Sequence, residues 1–335
     1  MPNESPTINW GIIGCGDVTE VKSGPAFNKV PKSKLVAVMR RNAAKAEDYA
    51  RRHQVPKWYS DVQQLIDDPD VNAIYIATPP SSHKEYTVRA LRSGKPVYLE
   101  KPVTLNAAEA EEIRQVVNET GVRLSVAHYR RQQPLFLKVR WLLEQGAIGP
   151  VRMIDLCCFQ PHKSAMIAQT EVPWRLDPVV SGGGLFHDLA PHQLDLMLYY
   201  FGKVKHAAGI STNTAGYYEA PDTVSGQIVF ENGALFNGLW CFAVPKSERL
   251  DRCHVIGSEG RISFPVFEHQ QLVLNVQGKE EIIPFNQLEH VQQPMIQQVV
   301  SYFLNEAENP CSIDEGLEVM QIIDAFSMHS SQLIR

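Results

Sequence analysis

No run of about 18 apolar residues, the length a helix needs to cross a bilayer, occurs in this chain of 335 residues, so no membrane span is expected. Residues 1–7 are short and polar. No basic segment leads into an apolar run there, and no signal peptide is expected. An excess of positive charge is also lacking. The 32 Lys and Arg against 37 Asp and Glu give a formal charge of −5, which excludes a general attraction for nucleic acid or anionic membrane. Cysteine is scarce, and Cys15, Cys157, Cys158, Cys241, Cys253 and Cys311 contain no Cys-x-x-Cys pair. They read as reduced, mostly structural thiols of a cytoplasmic protein. Internal repeats and low-complexity segments are absent. What remains is the composition of a soluble globular chain, 44% hydrophobic and 21% charged, long enough for two domains.

The first half alternates apolar runs with helical patterns. Ile8–Ile13 leads directly into Gly14-Cys15-Gly16 and then Asp17-Val18-Thr19. A strand, a Gly-x-Gly turn and a helix start together hold a pyrophosphate. The first glycine makes the turn, the second lets the backbone approach, and the helix start supplies free N–H groups. The third small position is Thr19, which predicts looser packing or a shifted helix start. Residues 35–39 form a second buried strand ending at Arg40-Arg41. Where an acid would grip the ribose of NAD, two arginines suit the 2′-phosphate of NADP, with NAD as the lesser alternative. Residues 71–77 form a third strand, closed by Thr78-Pro79-Pro80 and followed by His83 at a helix start. Val97–Leu99 is a fourth strand, delivering Glu100-Lys101-Pro102 at its carboxyl end. A lysine fixed there by proline points into the cofactor crevice, and Glu100 can hold it in an ion pair. Residues 122–127 are a fifth strand. This alternation predicts a doubly wound parallel sheet over residues 1–127.

Residues 128–335 change character. Strands are expected near 151–159, 205–212, 223–230, 234–242, 254–256 and 272–276. Glu231-Asn232-Gly233 and Ser258-Glu259-Gly260 read as hairpin turns, so the sheet is expected to be antiparallel. Final helices cover 293–305 and run from the Ser312-x-x-Glu315 capping box to about 330; they are expected to pack back on the first domain. The alternation through residues 234–240 leaves large apolar groups for a second copy to cover, predicting a homodimer or homotetramer through this sheet. Within this half lies Gly182-Gly183-Gly184-Leu185-Phe186-His187-Asp188-Leu189-Ala190-Pro191-His192-Gln193-Leu194-Asp195. Asp188, His192 and Asp195 recur at i, i+4 and i+7, one face of a helix, and resemble proton-transfer equipment. A proline costs about 3 kcal/mol inside a helix, so Pro191 predicts a helix that begins near Asp188 or bends there. No Cys partner or His-x-x-x-His pair accompanies Asp188 and His192, and no metal site is expected.

The ordered set Gly14-Cys15-Gly16, Thr78-Pro79-Pro80-Ser81-Ser82-His83, Gly94–Pro102, Tyr129-Arg130-Arg131, Trp174-Arg175 and 182–195 resembles the glucose–fructose oxidoreductase / inositol dehydrogenase (Gfo/Idh/MocA) family over nearly the whole chain. The resemblance implies an α/β fold: an N-terminal Rossmann domain, then an α+β domain with a large, open, mostly antiparallel sheet. It implies NAD(P)-dependent hydride transfer on a sugar, cyclitol or related polyol. Lys101 resembles the family's active-site lysine, and Asp188 and His192 its acid–histidine pair. Arg131, Trp174 and Arg175 fall where members often line the substrate pocket. Departures are Ala190, where many members have glycine, and Pro191.

The mechanism expected from these residues is as follows. Gly14, Cys15, Gly16, Asp17, Val18, Arg40, Arg41, Thr78, Pro79, His83, Glu100 and Lys101 serve the cofactor. His192 takes the hydroxyl proton, Lys101 stabilises the oxyanion or relays that proton, and Asp188 orients the histidine or binds a neighbouring hydroxyl. Asp195 braces the helix. Two rivals share the fold: a glycoside-cleaving enzyme with tightly held NAD, and a non-catalytic NAD(P)-binding regulator. Retention of Lys101, Asp188 and His192 argues against the second, and Arg40-Arg41 against the first.

Overall fold

Residues 6–164, 174–268 and 270–327 are described by the structure, a computed structural model. Two compact units divide them. The first comprises the described part of Met1–Arg130 with Leu288–Glu318; the second comprises Arg131–Gln287 with the described part of Val319–Arg335. The domain boundary thus falls at Arg130, and the return of residues 288–318 gives the first unit a discontinuous chain.

The first unit runs β1 (Ile8–Ile13), α1 (Asp17–Val21), β2 (Ser33–Met39), α2 (Ala43–His53), β3 (Lys57–Tyr59), α3 (Val62–Asp67), β4 (Ala73–Ile76), α4 (His83–Arg92), β5 (Val97–Leu99), α5 (Ala107–Thr120) and β6 (Leu124–Val126). All pairings are parallel, in the order β3-β2-β1-β4-β5-β6, the Rossmann order. Strands β4 and β5 are fully buried, which is why they read as unbroken apolar runs. The three-residue β3 is a sixth strand that the sequence pattern does not reveal. Helix starts carry the expected chemistry: Asn42, Asp61 and Asn106 cap α2, α3 and α5 through their side chains.

The second unit runs α6 (Pro134–Glu144), β7 (Val151–Phe159), α7 (Pro178–Ser181), α8 (Gly184–Phe201), β8 (Val204–Thr212), β9 (Thr223–Phe230), β10 (Leu235–Cys241), β11 (Leu250–Gly257), β12 (Gly260–Phe264), β13 (Gln271–Val276) and β14 (Lys279–Pro284). They form an eight-stranded sheet in the order β14-β13-β12-β11-β7-β10-β9-β8. It is antiparallel except at its centre, where β7 and β10 run parallel. The sheet is thus mostly antiparallel, as expected; β7 and β10 are neighbours in space but are separated in sequence by α7, α8, β8 and β9. Helix α8 covers the inner face. Trp240 of β10 is fully buried, donates its indole N–H to Gln193 of α8 (2.6 Å), and lies 5.2 Å from Phe186. Phe236 and Trp240 therefore point inward and leave no aromatic patch outside. The outer face instead exposes Met153, Ile210, Leu235 and Ile282.

The last helices are α9 (Gln293–Phe303) and α10 (Ile313–Ser327). Phe303 packs 5.6 Å from Trp10 of β1. The capping box is formed: Ser312 N–H donates to Glu315 Oε2 (2.7 Å), and Glu315 N–H donates to Ser312 Oγ (3.2 Å). The expected extension of this helix to about 330 lies partly outside the described residues.

Candidate active site

In the first unit, the Gly14-Cys15-Gly16 turn follows β1. Gly14 has φ +96°, and a Cβ there would stand 2.8 Å from both the Cγ2 and the backbone N of Thr78. Only glycine fits. The N–H groups of Gly14 and Cys15 both donate to the Met39 carbonyl, pinning the turn to the end of β2. At Gly16 a Cβ would meet only the Gly14 carbonyl oxygen, at 3.9 Å, so the backbone there lies open for close approach. These features fit a dinucleotide's pyrophosphate. Helix α1 has only five residues, so its dipole is small and the unpaired first-turn N–H groups, Asp17 and Val18 among them, are what the turn offers an anion. Thr19 is fully buried. Its hydroxyl donates back to the Gly16 carbonyl (2.7 Å), and its own carbonyl accepts from Tyr49 (2.7 Å). Packing at the third small position is therefore tight, not loosened.

Arg40 follows β2, and its Nη1 donates to the Cys15 carbonyl (3.3 Å), which places the guanidinium beside the turn. Arg41 is exposed next to it. Cys15 is buried, and burial pushes its thiol pKa up to about 11 against the opposing effect of Arg40, so it packs as a neutral thiol.

Thr78-Pro79 ends β4, and Glu100-Lys101 ends the neighbouring β5. Glu100 is 5% exposed. Its carboxylate accepts from Tyr75 Oη (2.5 Å), Gln292 Nε2 (2.6 Å) and the Lys101 N–H (3.1 Å). It anchors the Lys101 backbone from inside instead of facing a cofactor. Gln292, which also accepts from Tyr98 Oη (3.1 Å), returns from 192 residues downstream and has no sequence signal. His83 is also corrected. It is fully buried, so no cofactor can touch it; its ring nitrogens face the carbonyls of Thr78 and Pro102. Half-buried Lys101 precedes Pro102.

In the second unit, α8 begins at Gly184, four residues before Asp188, and runs unbroken to Phe201 with Pro191 in its interior. A start near Asp188 is therefore excluded. Gly184 has φ +73°, and a Cβ there would stand 2.5 Å from that of Ala220. Asp188 accepts from Arg175 Nε (3.1 Å), and the Arg175 guanidinium lies 4.4 Å from the Trp174 ring centre. Both charged side chains are nearly buried, at 14% and 9% exposure. His192, 5% exposed, meets the edge of Phe267 at 5.8 Å. Phe267 is held by Asp251, whose carboxylate accepts the N–H groups of Val266, Phe267 and Glu268. Neither Asp251 nor Phe267 is marked by any motif. Arg131, expected to line a pocket, is instead 2% exposed. Its Nε stands 3.0 Å from both carboxylate oxygens of Asp195, and its Nη2 is 2.7 Å from one of them. That geometry makes Arg131 a brace for α8. Asp195 is the other half of the brace.

The model described as an oxidoreductase family with an NAD-binding Rossmann fold matches residues 8–128, and the Gfo/Idh/MocA C-terminal domain model matches residues 136–263. The chain belongs to the Gfo/Idh/MocA family. As a Gfo/Idh/MocA member it is an NAD(P)-dependent oxidoreductase. It is 46% identical over 321 residues to oxidoreductase P35 of Formosa agariphila, covering 95% of this chain and 98% of that one. It is 28% identical over 284 residues to the NAD-dependent scyllo-inositol 2-dehydrogenase of Bacillus subtilis, covering 83% and 80%. Among solved structures, levoglucosan dehydrogenase in complex with NADH and levoglucosan superposes with a TM-score of 0.86 at 21% identity, covering 96% of each chain. That likeness extends to the fold.

Proposed function

We propose that this chain is an NADP(H)-preferring cytoplasmic dehydrogenase or reductase that acts on a carbinol of a sugar, cyclitol or related polyol. The observation that carries this reading is the convergence, at the carboxyl ends of the adjacent strands β2, β1, β4 and β5, of Arg40, the Gly14-x-Gly16 turn, Thr78-Pro79 and Lys101. In open parallel sheets that edge is where dinucleotides bind. An arginine in place of the ribose-binding acid favours a 2′-phosphate. The inositol dehydrogenase relative supports the polyol class.

Bound NADP supplies the hydride acceptor, or NADPH the donor. The remaining chemistry belongs to the chain. Lys101 presents an ammonium to the substrate oxygen and stabilises its negative charge as the hydroxyl proton leaves. His192 accepts that proton. The Asp188–Arg175 pair, backed by Trp174, binds neighbouring hydroxyls, and Asp195 with Arg131 keeps α8 in place. A second copy covers the outer sheet face, giving a homodimer or homotetramer.

The test is a panel of polyols, aldoses and inositols with NADP and with NAD, read by nicotinamide absorbance. Activity with NADP is expected, and Arg40→Asp should raise the NAD/NADP activity ratio. His192→Asn should lower turnover by about 100-fold or more while leaving cofactor affinity unchanged. Wild-type turnover in that variant, or equal rates with both cofactors, would refute the corresponding part.

A further inference from the structure

We propose that His83 is a positioning residue that clasps the loop after β4 to the loop after β5, and thereby fixes where Lys101 stands. This rests on the reading of Lys101 as the group that meets the substrate oxygen. The β4–β5 ladder ends at Ile76–Leu99, with one more bond from the Glu100 N–H to the Ile76 carbonyl. Beyond it, the ring of His83 spans the two loops. Its Nε2 lies 2.7 Å from the Thr78 carbonyl oxygen. Its Nδ1 lies 2.9 Å from that of Pro102 and 3.2 Å from that of Val103. The ring is wholly buried at the first residue of α4, a rigid base.

The loops joined here are the ones that carry Thr78-Pro79 and Lys101. Burial lowers the histidine's pKa, against the opposing pull of the three carbonyls. A neutral ring donates at one nitrogen and a charged ring at both, so the ring bonds both loops at once only in its charged form, which the three carbonyls favour and burial opposes. Loss of the Pro102 side frees the segment bearing Lys101; loss of the Thr78 side frees the segment after β4. A displacement of about 1 Å at a reacting group costs roughly 100-fold in rate.

Asparagine places its amide nitrogen near the position of Nδ1, and glutamine near that of Nε2. His83→Asn therefore keeps the Pro102 side and His83→Gln the Thr78 side. Two readouts separate them. In cofactor-free protein, amide hydrogen exchange over residues 101–106 should accelerate in His83→Gln, and over 78–82 in His83→Asn. In turnover assays at saturating NADP, kcat should fall about 10- to 100-fold in His83→Gln and less than about threefold in His83→Asn, with NADP affinity by fluorescence unchanged in His83→Gln. Equal exchange patterns, or equal kcat in the two variants, would overturn the clasp. Lys101→Met serves as the control. Wild-type turnover in it would remove the catalytic reading of Lys101, while the exchange pattern would still decide whether His83 holds the loops.

Discussion

The Arg131–Asp195 pair gives the sharpest energetic test, because it decides between bracing α8 and binding substrate. Both side chains are almost wholly buried, at 2% and 1% exposure, and three nitrogen–oxygen contacts of 2.7–3.0 Å join them. Removing one partner strands a buried charge, which costs about 3–5 kcal/mol. Removing both, with apolar replacements of similar volume, is often close to neutral. The guanidinium also lies 5.1 Å from the Tyr199 ring centre, an interaction worth about 0.5–2 kcal/mol that the double variant loses. Asp195→Leu and Arg131→Met are therefore each expected to lose about 3–5 kcal/mol. The double variant should lose less than half of their sum. At roughly 2–4 °C per kcal/mol for a unit of this size, each single variant should melt about 10 °C lower. Thermal and urea unfolding measure this directly, and the same preparations, assayed below their melting points, should show a substrate KM within about twofold of wild type for Arg131→Met. If Arg131→Met melted like wild type while its KM rose tenfold, the brace would be refuted and Arg131 would belong to the substrate.

Two further outcomes are expected. Burial holds the pKa of His187 down at about 4, against an ordinary value near 6.5, so the folded state favours the neutral ring. Its contribution is complete above about pH 6.5 and is lost as the pH falls towards 4, a loss of about 3 kcal/mol over that window. His187→Phe should flatten the acid limb of the stability–pH curve, and an unchanged limb in urea titrations would contradict the assignment. On the outer sheet face, in-register pairing places Met153 beside Leu235. Sedimentation at micromolar concentration should show a dimer or tetramer that Met153→Lys with Leu235→Glu dissociates; a monomeric wild type would sink the proposed assembly.

How much of this was legible in the sequence depended on burial. Strands β1, β4 and β5 are covered on both faces and therefore read as apolar runs, as does β2 beyond the exposed Lys34. Strand β14, Lys279–Pro284, is an exposed edge that opens with Lys-Glu-Glu, so no alternation marks it. Strand β3, three residues long, is too short to show a period. The turn between β13 and β14, Gln277-Gly278, puts both residues at positive φ, yet only its glycine hints at this. The parallel β7–β10 pair is set by a crossover, and adjacency in sequence carries no information about it.

The same distinction governs the site. Spacing placed Asp188, His192 and Asp195 on one stripe of α8, but spacing says nothing about what each faces. Asp188 pairs with Arg175, thirteen residues upstream; Asp195 pairs with Arg131, sixty-four upstream; His192 abuts Phe267 from a loop held by Asp251. His83 and Glu100 carried motif signals and lay in the predicted region, yet both act from beneath the surface, on backbone. Pro191 follows the same logic. Its cost of about 3 kcal/mol assumes a helix that stands by itself. Helix α8 is buried at nearly every position from Gly184 to Leu198, so tertiary packing offsets a missing N–H that local propensity would not tolerate. A motif therefore identifies the residues a site is built from. Which of them meet substrate, and which hold the others still, is decided by partners that arrive from far along the chain.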